Sequence, residues 1–244
     1  MSRISSLLFI LVANPRFMIS KAEIKYLRSL QLKKNRDKDE VFVLEGAKNL
    51  LELSGSDFEV IKLFATKDFY HKNEAKLSKL STVVVVTDQQ FIESAGTFKT
   101  NAAGLAIVRM KKREFSAGPN DWILALDKIQ DPGNLGTIVR TADWFGISQV
   151  VCSPDTVDFY NPKVINATMG SFSRVGVLYK PLEQWLSTID RPVYGALLEG
   201  TSIRELGEVP PGVILMGNES KGISDQLKNQ VTQAVHIPRK GGAE

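Results

Sequence analysis

A chain of 244 residues, 43% hydrophobic and 24% charged, has the balance of a soluble globular protein and the length for one large domain or two modest ones, with two as the starting expectation. A net charge of +4 favours polyanionic partners without requiring them. A single cysteine, Cys152, excludes an internal disulfide and a cysteine-based zinc site, and two histidines without H-x-x-H spacing exclude a metal-hydrolase ligand set, so no metal is expected.

The amino-terminal "MSRISSLLFILVANPRF" places an apolar run, Leu7 to Ala13, behind Arg3 and so imitates a signal peptide, but it is too short to span a membrane. A second methionine, Met18, stands just before a helix start, so residues 1–17 read as an extension from an upstream start codon. With the lone cysteine, this points to a cytoplasmic protein with no membrane association. In "SKAE", Ser20 and Glu23 have capping-box spacing, and Ile24, Leu27 and Leu30 follow at helical intervals, giving an amphipathic helix with a basic outer face. "QLKKNRDKDE" reads as a polar loop whose Lys33, Lys34, Arg36 and Lys38 are candidates for RNA contact, with a solvated turn as the equal alternative.

Strand and helix then alternate. "VFVLEG" and "EVIKLFAT" are strand-like, Leu50, Leu51 and Leu53 have helical spacing, and "TVVVVT" and "GLAIVRM" are strand-like again. "KKREFSAGPND" lacks periodicity and reads as a linker, with the boundary near Ala117. Beyond it, "WILALD", "SQVVC", "PVYGAL", "GVILMG" and "QAVHIP" are near-continuous apolar runs suited to parallel strands covered on both faces. The expected domains are residues 18–110, a linker over 111–121, and residues 122–244, in an α/β architecture.

In a parallel α/β sheet, ligands collect at the carboxyl ends of strands, which directs attention to the loops after these runs. "DPGNLGTIVRTADWFG" follows the first run; G-x-G-x-x-G and G-x-x-x-x-G-K-[ST] are both absent, and Gly133 with Gly136 would serve a helix-start turn equally well. The spacing predicts a helix with Ile138, Ala142 and Phe145 buried, and Asn134, Thr137, Arg140 and Thr141 on its polar side. A helical arginine alone is more often a surface residue than an anion ligand.

What changes that weighting is the joint occurrence of this loop with "ILMGNESKGIS" and "VHIPRKGG" in order. Together they resemble the SpoU, or TrmH-type, RNA ribose methyltransferases of the SPOUT class: Asn134 and Arg140 match the first motif, Gly217, Asn218, Glu219 and Gly222 the second, and Ile237, Pro238 and Gly242 the third. The upstream part resembles the small ribosomal-protein-like substrate-binding domain fused to such enzymes, with Glu45 and Gly46 of "FVLEG" as its signature.

The resemblance implies methyl transfer from S-adenosylmethionine to a ribose 2′-hydroxyl of ribosomal or transfer RNA, a parallel-sheet domain with a trefoil knot, and a homodimer built on the second domain. It makes Asn134, Arg140 and Glu219 the candidate catalytic residues. Leu197, Met216, Gly217, Asn218, Gly222, Ile237 and Pro238 become the candidate cofactor-binding residues. Lys33, Lys34, Arg36, Glu45 and Arg140 are the candidate RNA-binding residues. A guanidinium does not readily take up a proton at neutral pH, so Arg140 is read as an anchor for phosphate, with Glu219 as loop organiser or proton acceptor through water. The family's third motif continues into Ser-Leu-Asn and a final helix where this sequence stops at Glu244, so a truncated motif and an incomplete knot are expected. The competing class is a non-catalytic RNA-binding paralogue that has lost its cofactor site.

Overall fold

The computed structural model describes residues 10–12, 20–80 and 82–241. The apolar run of the amino-terminal extension is covered only at Ile10–Val12; Met18 and Gly242 lie outside the described residues. In chain order the elements are β1 (Ile10–Val12), α1 (Lys21–Ser29), α2 (Lys33–Asp39), β2 (Val41–Glu45), α3 (Ala47–Leu53), β3 (Val60–Thr66), α4 (Lys67–Leu77), β4 (Val83–Thr87), α5 (Gln89–Ala95) and β5 (Gly104–Arg109). After the linker come β6 (Ile123–Leu126), α6 (Pro132–Trp144), β7 (Gln149–Cys152), α7 (Pro162–Thr168), a 3-10 turn (Ser171–Ser173), β8 (Gly176–Tyr179), α8 (Leu182–Ser187), β9 (Val193–Ser202), β10 (Val213–Met216), α9 (Asp225–Lys228) and β11 (Gln233–His236). The chain forms two units, residues 1–112 with 160–173, and residues 113–159 with 174–244, so the division is not contiguous in sequence.

The first unit is a five-stranded mixed sheet in the order β1-β4-β3-β5-β2, with β5 antiparallel to both neighbours. All five residues of β2 are buried because alternate side chains enter different cores. Val41 and Val43 join Leu27, Leu30, Phe64 and Ile107 on one side. On the other, Phe42 packs against Phe58, Tyr160 and Phe172. Helix α1 has the Ser20 half of the expected capping box: Ser20 accepts from the Glu23 N–H, while the Glu23 carboxylate pairs with Lys62 instead of returning to the Ser20 N–H.

The "QLKKNRDKDE" segment is helical over Lys33–Asp39, which corrects the loop expectation. It lacks apolar periodicity because its one buried side chain is Arg36, whose Nη1 donates to the carbonyls of Leu30 and Gln31 beyond the end of α1. A buried arginine spent on capping carbonyls disguises an amphipathic helix as a charged loop.

The second unit holds a six-stranded sheet, β11-β9-β10-β6-β7-β8, parallel at every pairing. The continuous apolar runs are explained by burial on both faces: Ile123 and Ala125 enter a core with Leu182, Leu186, Val213 and Leu215, while Leu124 and Leu126, pointing oppositely, are buried as well. On α6 the inward stripe is Leu135, Val139 and Ala142, with Ile138 half-buried and Phe145 73% exposed, which corrects the expected register of its buried face. The amino-terminal cap sets that register. Asp131 precedes Pro132 at the first helical position, and the apolar side chains that fall over the sheet follow from there.

Candidate active site

Parallel pairing brings the carboxyl ends of β9, β10, β6 and β7 to one edge of the second sheet, where the loops after β6 and β10 carry the candidate site. After β6, the sequence "DPGN" builds a helix start from local chemistry: Asp131 Oδ1 accepts the Asn134 N–H at 2.8 Å, and Pro132 has no N–H to leave unsatisfied. Asn134 is thereby held in the first turn. Its side-chain amide donates to Glu219 Oε1 at 2.6 Å, across 85 positions of sequence.

Glu219 is presented by a turn that closes on itself. Asn218 and Gly222 exchange backbone hydrogen bonds of 3.0 and 2.8 Å, and Asn218 Oδ1 accepts from the N–H groups of Ser220 and Lys221 at 3.0 and 3.1 Å. The Asn218 amide also donates to the Lys128 carbonyl at 2.9 Å, tying this turn to the end of β6. At Gly217 a Cβ would collide with the backbone of Gly222 and Ile223, so glycine is required by the turn's own closure. Gly222 differs: its φ of +65 is left-handed, yet a Cβ there would meet no atom within 4 Å.

Arg140, about 9 Å along the helix axis from Asn134, is exposed and makes no hydrogen bond or ion pair within the described residues. Met216 ends β10 and Ile237 directly follows β11, while Leu197 lies within β9, two residues past Gly195, the last residue paired with β10. Leu197 packs partly on the core, whereas Ile237 is 76% exposed and Pro238 half-buried. Between Ala234 and Val235 the register on β9 jumps from Gly195 to Thr201, so residues 196–200, including Leu197, bulge from the ladder beside this edge.

The candidate RNA residues of the first unit divide. Lys33 and Lys34 are exposed, Lys33 in a surface pair with Asp37. Arg36 and Glu45 are 1% and 2% exposed, which corrects their reading as RNA contacts. Glu45 accepts from the N–H groups of Thr97 (3.0 Å) and Phe98 (3.3 Å), from the Thr97 hydroxyl, and from the Asn166 amide (3.3 Å), so its charge is consumed inside the unit.

Asp127 and Lys128, which begin the loop after β6, are absent from the residues that the sequence motifs mark. Asp127 is buried with Oδ2 accepting the Ser224 N–H at 2.8 Å, and Lys128 has a left-handed φ of +57. Their place directly after an apolar strand was the available signal. Cys152 is a buried core thiol, pushed up to about 12 by desolvation. Among the described residues no cluster of His, Cys, Asp and Glu could hold a metal, and no helix is long and apolar enough to cross a membrane.

Both parts of the chain are similar to known proteins. Residues 121–244 match the SpoU rRNA Methylase family, and residues 21–103 match the MRM3-like substrate binding domain. The chain is 28% identical, over 91% of its length and 89% of the relative's, to the 23S rRNA (guanosine(2553)-2'-O)-methyltransferase RlmP of Bacillus subtilis. A TrmH-family structure from Porphyromonas gingivalis superposes with a TM-score of 0.79 at 32% identity, covering 93% of this chain and 91% of that one. The fold is also that of an AdoMet-bound rRNA methyltransferase from Sinorhizobium meliloti, with a TM-score of 0.80 at 24% identity over 97% of this chain and 91% of that one.

Proposed function

Since the chain belongs to the SpoU rRNA methylase family, we propose that it is an RNA 2′-O-ribose methyltransferase that takes its methyl group from S-adenosylmethionine. The observation that carries this reading is the Asn134–Glu219 hydrogen bond, which joins two distant loops at the ligand-binding edge of a parallel sheet. S-adenosylmethionine supplies an electrophilic methyl carbon on a sulfonium, so the protein's share is alignment and proton removal. The residues at the edge suit such a donor: Leu197, Met216 and Ile237 offer apolar walls, and the turn running through Gly217 and Asn218 to Gly222 offers backbone that no side chain covers at Gly222. Pro238 stiffens the chain as it leaves this wall.

With its Nδ2 committed to Glu219, the Asn134 amide has its Oδ1 turned to accept a hydrogen bond from the ribose hydroxyl and so aim the oxygen's lone pairs. Glu219 holds that amide in place and takes the proton through a water. Arg140, charged and unpaired within the described residues, anchors the neighbouring phosphate. Lys33 and Lys34 add phosphate contacts from the first unit. Exposed Trp144 (85%) and Phe145 (73%) at the end of α6 support a homodimer through the second unit, which sedimentation at micromolar concentration tests. The same reading includes the family's knot and a cytoplasmic location; mature protein cleaved near Ala13 in an extracytoplasmic fraction would oppose the location.

The deciding experiment maps 2′-O-methylated riboses in total RNA from cells with and without the protein. A site lost with the protein, and restored in vitro by protein and S-adenosylmethionine, is the expected result. Retention of every site, with no heat on titrating S-adenosylmethionine, would instead leave an RNA-binding paralogue.

A further inference from the structure

Beside the Asn134–Glu219 pair lies a cavity of about 370 Å³, walled by Asp127 and Lys128 from the end of β6 and by Asn218, Lys221 and Ser224 from the turn before α9. That volume lies within the range of small-ligand sites. Its charges are unevenly satisfied. Asp127 is engaged by the Ser224 N–H at 2.8 Å, and Asp225 on the rim by Lys228 at 2.8 Å. The ammonium groups of Lys128 and Lys221 have no ion pair or hydrogen bond within the described residues. The cavity is therefore lined by two lysines with no ion pair among the described residues, beside one buried carboxylate, Asp127, that is held by a backbone N–H and a second carboxylate, Asp225, that is paired with Lys228.

Lys128 also occupies a backbone conformation that ordinary residues avoid at a cost of about 1–2 kcal/mol. Two bonds hold it there: its N–H donates to Ser153 Oγ at 2.8 Å, and its carbonyl accepts from the Asn218 amide at 2.9 Å. The Asn218 amide in turn lies 3.3 Å from Glu219 Oε2, so the cavity and the catalytic pair share a wall. Glycine or asparagine would fill the turn more cheaply, and strained positions of this kind cluster at binding sites.

We propose that this cavity is a subsite for a phosphate-bearing nucleotide of the RNA adjacent to the methylated one, with Lys128 and Lys221 binding its phosphate. This rests on the methyltransferase reading above. The methyl donor joins a cationic sulfonium and an ammonium to a single carboxylate, whereas RNA offers a phosphate at every nucleotide, so the two lysines favour RNA, and the S-adenosylmethionine arm of the test separates the two ligands. Arg140 and this lysine pair then grip the RNA at two points around the reacting ribose.

The test uses the full chain, deproteinised ribosomal RNA from cells lacking the protein, and tritiated S-adenosylmethionine. In the Lys128→Gln, Lys221→Gln double variant the RNA dissociation constant rises about tenfold, and the slope of log affinity against log salt falls in magnitude by roughly 1. Binding of S-adenosylmethionine, read by equilibrium dialysis, stays within about twofold. Lys221→Gln alone, on an exposed turn, gives about half the slope change and guards against misfolding of the double variant. Unchanged RNA affinity and slope, or loss of S-adenosylmethionine binding instead, overturns the subsite. Wild-type protein that transfers no label to this RNA, nor to transfer RNA from the same cells, would overturn the methyltransferase reading and the subsite with it, whereas active wild type beside an indifferent variant overturns the subsite alone.

Discussion

Asn134 and Glu219 are joined by a 2.6 Å hydrogen bond although each is set in place by its own loop: Asn134 by the Asp131 cap, Glu219 by the closed turn between Asn218 and Gly222. Both are exposed, so the contact adds little to stability, and its geometry is the part that matters. Asn134→Ala should lower kcat/KM for RNA by about 100-fold while shifting Tm by less than about 2 °C. Asn134→Asp should be at least as damaging, because it sets two carboxylates face to face. Methyl incorporation and a thermal melt read the two effects, and retained turnover in both variants would remove the pair from the mechanism.

The two glycines of the turn separate steric need from conformational need. Gly217→Ala drives a methyl into the backbone of Gly222 and Ile223, which must part, so S-adenosylmethionine affinity should fall by at least about tenfold. Gly222→Ala meets no atom within 4 Å and bears only the left-handed backbone cost of about 1 kcal/mol, giving a much smaller loss. Calorimetry on both variants checks the order; equal losses would mean that the ligand itself packs on Gly222.

Glu45 and Lys34 should show opposite phenotypes. Glu45→Ala removes the acceptor for Thr97, Phe98 and Asn166 inside the first unit, which should cost about 3 kcal/mol and lower Tm by on the order of 10 °C. Lys34→Ala, fully at the surface, should leave Tm unchanged and weaken RNA binding with a reduced salt slope. A stable Glu45→Ala protein with impaired RNA binding would restore Glu45 as an RNA contact.

Burial raises the Cys152 thiol to about 12 from an ordinary value of 9.0, so the folded state keeps a proton that the unfolded state releases. The stabilising contribution is complete below pH 9 and declines as pH rises toward 12. Two outcomes follow: the native protein should resist alkylation at pH 8 until denatured, and Cys152→Ala should flatten the fall in stability between pH 9 and 11. Rapid labelling of folded protein at pH 8 would contradict this.

Much of this could be read along the chain because local physics writes a period. The Ser20 cap, the Asp131-Pro132 helix start and the uninterrupted apolar strands of the second unit each leave a signature a few residues long. Where one buried charge replaced the apolar stripe, as Arg36 does in α2, the signature vanished and a helix looked like a loop. Nothing local to "DPGN" marks the partner of Asn134, because Glu219 lies 85 positions away in sequence.

Sequence alone determined the alternation of strand and helix, the parallel character of the second sheet, and which loops carry polar residues, since backbone periodicity and burial are local consequences of residue type. Only the tertiary structure decided that Glu45 and Arg36 turn inward, that residues 160–173 pack with the first unit, and that Lys128 meets the 217–222 turn. Those outcomes depend on which surfaces meet across many tens of residues. No spacing within a segment encodes such a meeting; the closing of the folded chain does.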